Sequence, residues 1–148
     1  MRYASKFIML IVIIAALLQG ACAAADDGAA TKPEPPSKTE KVDGSDFNRV
    51  ILTEKAAARV QVKTSKVREE DVAGAKKLVV PYAALIYGLH GETWVYTSPA
   101  PLTYQRAVVA VDYIEGENAY LKEGPAVGTE VADVAVAELY GADTGVGK

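Results

Sequence analysis

The 148-residue chain has one cysteine, one histidine and one tryptophan. A lone cysteine, Cys22, allows no disulfide within the chain. A lone histidine, His90, leaves any Ser-His-Asp or Cys-His arrangement a single imidazole to use. Zinc and soft metals need clusters of histidine, cysteine or methionine, and both methionines lie in the first ten residues. No glycine-rich phosphate motif follows a strand and opens a helix, so no cofactor is expected. Cations are also scarce. Sixteen Lys and Arg, two of them (Arg2 and Lys6) at the N-terminus, face nineteen Asp and Glu. A mildly acidic chain without a clustered basic face does not suit nucleic acid, where phosphate neutralisation supplies most of the affinity. The acidic run Glu69-Glu70-Asp71 lacks the glycine and alternating oxygen ligands of a calcium loop and reads as a solvated charge run.

What is present begins with a leader-like segment over 1–22. Arg2 and Lys6 precede an apolar run from Phe7 to Leu18, and small residues follow in "QGACAAADDG". This is the basic, apolar, small-residue order of a secretory leader, and the apolar run is shorter than the ~20 residues of a spanning helix. Export is the expectation. Cys22 closes "LLQGAC", which resembles the lipobox of bacterial lipoproteins, although Gln19 stands where that pattern has Leu, Val or Ile. Three fates stay open: lipidation at Cys22, release by an ordinary leader peptidase, or an uncleaved anchor.

Residues 23–46 contain Pro33, Pro35 and Pro36 and almost no large apolar side chains, which predicts a disordered tether. The folded part is expected over 47–141. "NRVIL" reads as a short strand, Thr53 as the cap of one short helix, and the alternation in "VQVKTSKV" as a half-buried strand. "REEDVAGAKK" (68–77) reads as a loop. Strand candidates then follow at 78–80, 84–87, 93–97, 103–114, 118–122 and 130–136, most of them separated by Gly or Pro. The expected fold is mainly β, a small barrel or rolled sheet with one short helix. The glycine-rich residues 142–148 read as a flexible tail.

His90 lies beside Gly91 at a predicted turn, and a turn role needs no chemistry from it. A role as ligand or base would need partners that the sequence does not supply. The aromatics are mostly tyrosine, eight in all. Trp94 and Tyr96 share one face of their strand, as Tyr104 and Arg106 do of theirs. These four are the candidate interaction residues. Core packing and an aromatic platform for peptide or sugar are both open for the tyrosines.

"VPYAALIYGLHGETWVYTSP" resembles the membrane-proximal domain of periplasmic adaptor (membrane fusion) proteins of efflux pumps. In that family a Val-Pro leads to an apolar strand, a glycine turn and a "VYV"-like strand. "YQRAVVAV" is similar to the next strand of the family, and "LKEGPAVGTEVADVAVAEL" to its closing segment, with Gly124 and Gly128 in place but Ala135 where a glycine is usual. "VILTEKAAARVQVKTSKV" is similar to the opening of heavy-metal-type adaptors. About a dozen residues stand where a full adaptor has its barrel, lipoyl and helical-hairpin domains. The resemblance implies a non-catalytic interaction module in the cell envelope, anchored by lipid and docking on a membrane transporter or a partner adaptor. The alternative is a free-standing ligand-binding lipoprotein with an aromatic pocket.

Overall fold

The computed structural model of the chain describes residues 34–146. The expected leader and Cys22 lie outside the described residues. The strands are β1 (Ser37–Glu40), β2 (Arg49–Leu52), β3 (Lys63–Lys66), β4 (Arg68–Val72), β5 (Ala75–Pro81), β6 (Ile86–Tyr87), β7 (Thr93–Ala100), β8 (Thr103–Val108), β9 (Ala110–Glu115), β10 (Asn118–Glu123) and β11 (Glu130–Val134). Helix α1 covers Glu54–Val60 and α2 covers Val136–Thr144, with a 3-10 turn at Tyr82–Ala84. The fold is mainly β, as expected. The expected barrel is not formed: the strands make two open sheets.

The larger sheet has seven strands in the order β1-β2-β8-β7-β11-β3, with β6 pairing beside β7; the smaller has the order β4-β5-β10-β9. The chain changes sheets at single buried valines. Val67 links β3 to β4, and Val109 links β8 to β9. Both backbones are tied at the corner, Val67 N–H to the Thr129 carbonyl at 2.8 Å and Val109 N–H to the Thr93 carbonyl at 2.9 Å. The run 103–114, expected as one strand, is therefore two strands in different sheets. The corner brings Val109 into the apolar layer between the sheets.

That layer consists of Val67, Val80, Ala84, Val95, Val109, Ala119, Leu121 and Val131. A second layer lies on the other face of the large sheet, where Val50, Leu52, Tyr96, Tyr104 and Ala132 meet Val136 and Leu139 of α2, with Ala56 and Ala57 of α1 packed against them. Alternation along β7 sorts the two: Val95 goes one way and Tyr96 the other.

Three expectations need correction. Ser37–Glu40, placed in the tether, is an edge strand paired antiparallel with β2. Its side chains are largely exposed, so its sequence carries no burial pattern, and the backbone ladder to β2 with the Thr53 N–H bond to the Pro36 carbonyl at 3.0 Å ties it down. "REEDVAGAKK" is a β-hairpin, not a loop. Ala73 (φ 53°) and Gly74 (φ 83°) turn the chain, and Asp71 and Lys76, then Glu70 and Lys77, stand opposite each other. The acids belong to β4, an edge strand, where charges are tolerated and discourage further pairing, and the lysines stand on the part of β5 that β10 does not reach. The tail expected at 142–148 begins inside a helix. α2 runs to Thr144, and Asp143 is buried. A second helix therefore joins the one expected.

α1 begins where the sequence places it. Thr53 Oγ1 accepts the Ala56 N–H at 3.2 Å, and Glu54 stands in the first turn.

Candidate functional site

Three of the four candidate interaction residues meet in one cluster, together with residues from distant parts of the chain. Trp94 and Tyr96 stand on β7, and Arg106 stands on β8 directly opposite Tyr96. All three point to the side of the large sheet that α2 covers. Asp143, in the last turn of α2, reaches them: its Oδ2 lies 2.7 Å from Arg106 Nε and accepts the Tyr96 hydroxyl at 2.9 Å. The Asp143 side chain is fully enclosed, and that of Arg106 is 15% exposed. The Arg106 contact is ionic and lies off the hydrogen-bond line, and Asp143 Oδ1 has no hydrogen-bond partner among the described residues.

Aromatic rings complete the surroundings of the guanidinium. Its carbon sits 4.5 Å from the centroid of Phe47, 5.2 Å from Trp94 and 5.8 Å from Tyr140. Phe47 and Trp94 meet edge to face with centroids 6.0 Å apart. A cation over ring faces gains from their quadrupoles, more so when partly desolvated. Trp94 also explains a glycine. A Cβ on Gly88 would lie 2.5 Å from the Trp94 ring, so the turn before β7 needs a residue without one.

Burial, and after it the negative charge of Asp143, pushes the Tyr96 phenol far above the ordinary tyrosine range. Tyr96 therefore stays protonated and acts as a donor. Tyr104 is 5% exposed, and burial followed by Glu130 raises its phenol too. It packs in the same layer as Tyr96 and forms part of the core. The open question about the tyrosines thus divides. Tyr96 and Tyr104 are core residues, whereas Tyr82 and Tyr87 are 47% and 54% exposed. Trp94, Tyr96, Tyr104 and Arg106 do not form an exposed docking face, because Tyr96 and Tyr104 are buried, the Arg106 side chain is largely enclosed and Trp94 is half-buried.

Phe47, Tyr140 and Asp143 were not among the candidates. Val136, Leu139 and Asp143 follow at helical spacing, the only available sign of α2's inner face. An aspartate on that face and Gly141 within the helix both obscure it.

His90 is exposed at the turn between β6 and β7. Its backbone N–H donates to Glu92 Oε2 at 3.1 Å, and no hydrogen bond to its ring is formed among the described residues. Glu92 is held below the usual carboxylate range, first by its own backbone N–H. Among the described residues, no group of three or more His, Cys, Asp or Glu is placed to hold a metal, and no helix is long and apolar enough to cross a membrane.

Concavities lie on the surface of the described residues, two of them beside elements already named. One of about 520 Å³ lies where β1, β2 and the start of α1 meet the β7–β8 turn, walled by Pro35, Ile51, Leu52 and Leu102. The other, about 360 Å³, lies between Pro81, Tyr82, Gly116, Glu117, Asp133 and Val134. Tyr82 and Val134 are both exposed beside it. Tyr87, on β6, is close enough to Tyr82 for that phenol to add to the rise that burial gives its own.

No family model matches the chain, and neither a curated protein nor a solved structure matches it.

Proposed function

We propose that this chain is an exported, non-catalytic interaction module held at a membrane, related to the adaptors it resembles in sequence, that docks on a membrane transporter or a partner adaptor. The observation that carries this reading is the exposed patch of Tyr82, Tyr87 and Val134 around the 3-10 turn. Exposed aromatic and apolar side chains grouped together mark surfaces that meet other proteins. Open sheets support the same reading. β1, β3 and β9 are outer strands of the two sheets without the charge run of β4, and such strands accept an added strand from a partner. A tether before Ser37, ending in lipid at Cys22, would confine the search to the membrane surface and raise the effective concentration. The docking face on this reading is the patch beside β6 and β11, rather than the largely buried cluster of Trp94, Tyr96, Tyr104 and Arg106.

Photo-crosslinking amino acids at positions 82 and 87 in intact cells test the reading. A membrane protein should be captured from both positions and not from exposed Lys55 on α1. Capture from none of the three would remove the docking reading. Mass spectrometry of the mature N-terminus tests lipidation at Cys22 separately.

The alternative, a ligand-binding lipoprotein, draws on the 360 Å³ concavity, for which Tyr82 forms one wall. It requires a small molecule that protects Tyr82 from modification and requires no protein partner. The cavity is lined by one tyrosine rather than several, which favours docking.

A further inference from the structure

Helix α2 is fastened to the large sheet by very little. Of its nine residues, only Val136, Leu139 and Asp143 are buried. Its first boundary, Ala135, sits at φ 65° and supplies no side-chain cap, a backbone state that favours glycine. Asp143 stands in the last turn, at the negative end of the helix dipole, and no basic residue of α2 accompanies it there. The helix therefore disfavours its own buried charge. Arg106 and the Tyr96 hydroxyl, both from the sheet, are what hold it.

Arg106 is less dependent on α2 than Asp143 is on Arg106. Phe47 and Trp94, which flank the guanidinium most closely, do not belong to the helix; Tyr140 and Asp143 do. When α2 departs, the guanidinium keeps its two nearest rings and gains water, and the Asp143 carboxylate gains water as well. Both charges thus have a satisfied state with the helix down and another with it up. Against hydrated charges, a buried ion pair contributes little net hold. Closure rests on Val136 and Leu139, with half-buried Ala142 packed beside them and the Tyr140 ring over Arg106, opposed by the conformational entropy of the whole segment. Segments with few buried apolar contacts are those that open below the global unfolding limit.

We infer that α2 is a reversible strap, lifting as a unit from the large sheet while both sheets stay formed, and uncovering Arg106, Tyr96 and Tyr104. The surface so uncovered, a guanidinium seated on two aromatic rings, has the chemistry of a carboxylate receptor. Asp143 is its ligand in the closed state. The strap is a property of the isolated chain and does not rest on the docking proposal, which concerns the patch on Tyr82 and Tyr87.

Native-state amide hydrogen exchange on the full chain tests it, with the emission of Trp94, the only tryptophan, as a second readout. Amides of residues 140–144 should exchange about 100-fold faster than those of Val95, Tyr96 and Leu121, with rates nearly independent of low denaturant. Asp143→Asn should speed the α2 amides a further ~10-fold, leave the β5 and β10 amides unchanged, and shift Trp94 emission. The paired change Arg106→Met with Asp143→Leu removes both charges and should return α2 exchange to the wild-type rate or below it. The strap is overturned if wild-type α2 amides exchange at core rates and track denaturant with them, since the helix then opens only by global unfolding. It is equally overturned if Asp143→Asn accelerates every amide alike. Should that variant not fold, the wild-type profile alone decides.

Discussion

The large sheet has two buried faces, built on different terms. The face toward the small sheet is aliphatic, with Val95, Val131 and Ala107 meeting Val80, Leu121 and Val109. The face toward the helices holds two tyrosines and an Arg–Asp pair among its apolar residues. Adjacent residues of one strand, Val95 and Tyr96, are both fully buried yet belong to these opposite regimes. On the aliphatic face every buried group gains from leaving water, so no side chain depends on a charge or hydrogen-bond partner to be accepted there. On the other face, each polar group is acceptable only while its partner stays in place. Difference in chemistry becomes difference in behaviour: one face is fixed by volume, the other by pairing.

Four substitutions break or sharpen this contrast. Leu121→Ala, on the aliphatic face, should cost about 2–5 kcal/mol through lost burial and a residual cavity, read as a lower urea midpoint at unchanged slope. Tyr96→Phe keeps the ring and removes one hydrogen bond to a carboxylate. It should cost about 1.5–3 kcal/mol at neutral pH by the same measurement. The pH dependence carries a further signature. Because the folded Tyr96 phenol titrates above its unfolded value, the stability it contributes is complete below pH ~10 and is lost as pH rises beyond that. Tyr96→Phe should therefore flatten the alkaline limb of the stability–pH curve. Tyr104 and Tyr120, also raised, keep it from vanishing. An unchanged alkaline limb would show that the Tyr96 hydroxyl is not buried against Asp143.

Smaller effects lie outside both faces. Thr53→Ala removes the cap of α1 and should cost about 1 kcal/mol, with a matching loss of protection at the Ala56 amide. His90→Asn should change stability by less than about 0.5 kcal/mol, because the side chain is exposed and its backbone N–H is what reaches Glu92. Loss of partner capture by this variant with stability retained would restore His90 as a functional residue.

Much of the β pattern was legible because burial alternates along strands that pack on one side or both. β2, β7, β8 and β10 stand near where their apolar residues put them. The hairpin of β4 and β5 was missed for a reason also written in the sequence. Acids precede Ala73-Gly74 and lysines follow, so that opposite charges face each other across the turn, and reading the run as charge alone hides that mirror. β1 left no such mark, since its exposed side chains have nothing to pack against. For the candidate site, the shared face of Trp94 with Tyr96 and of Tyr104 with Arg106 was correctly read from period-two spacing. What that face meets was not, because Phe47 and Asp143 are far from it along the chain.

The sequence by itself determined the mainly β character, the cap of α1, the side on which the residues of β7 and β8 stand and the turn position of His90. Local sterics and alternation suffice for these, since each depends on neighbours a few residues away. Only the tertiary structure decided that the sheets stay open, that the chain turns between them at Val67 and Val109, and that Tyr96 and Tyr104 lie inside. It also decided that Arg106 finds its carboxylate at Asp143. Those outcomes depend on which distant surfaces come together, and a buried charge shows its partner only once the chain has brought the two within contact.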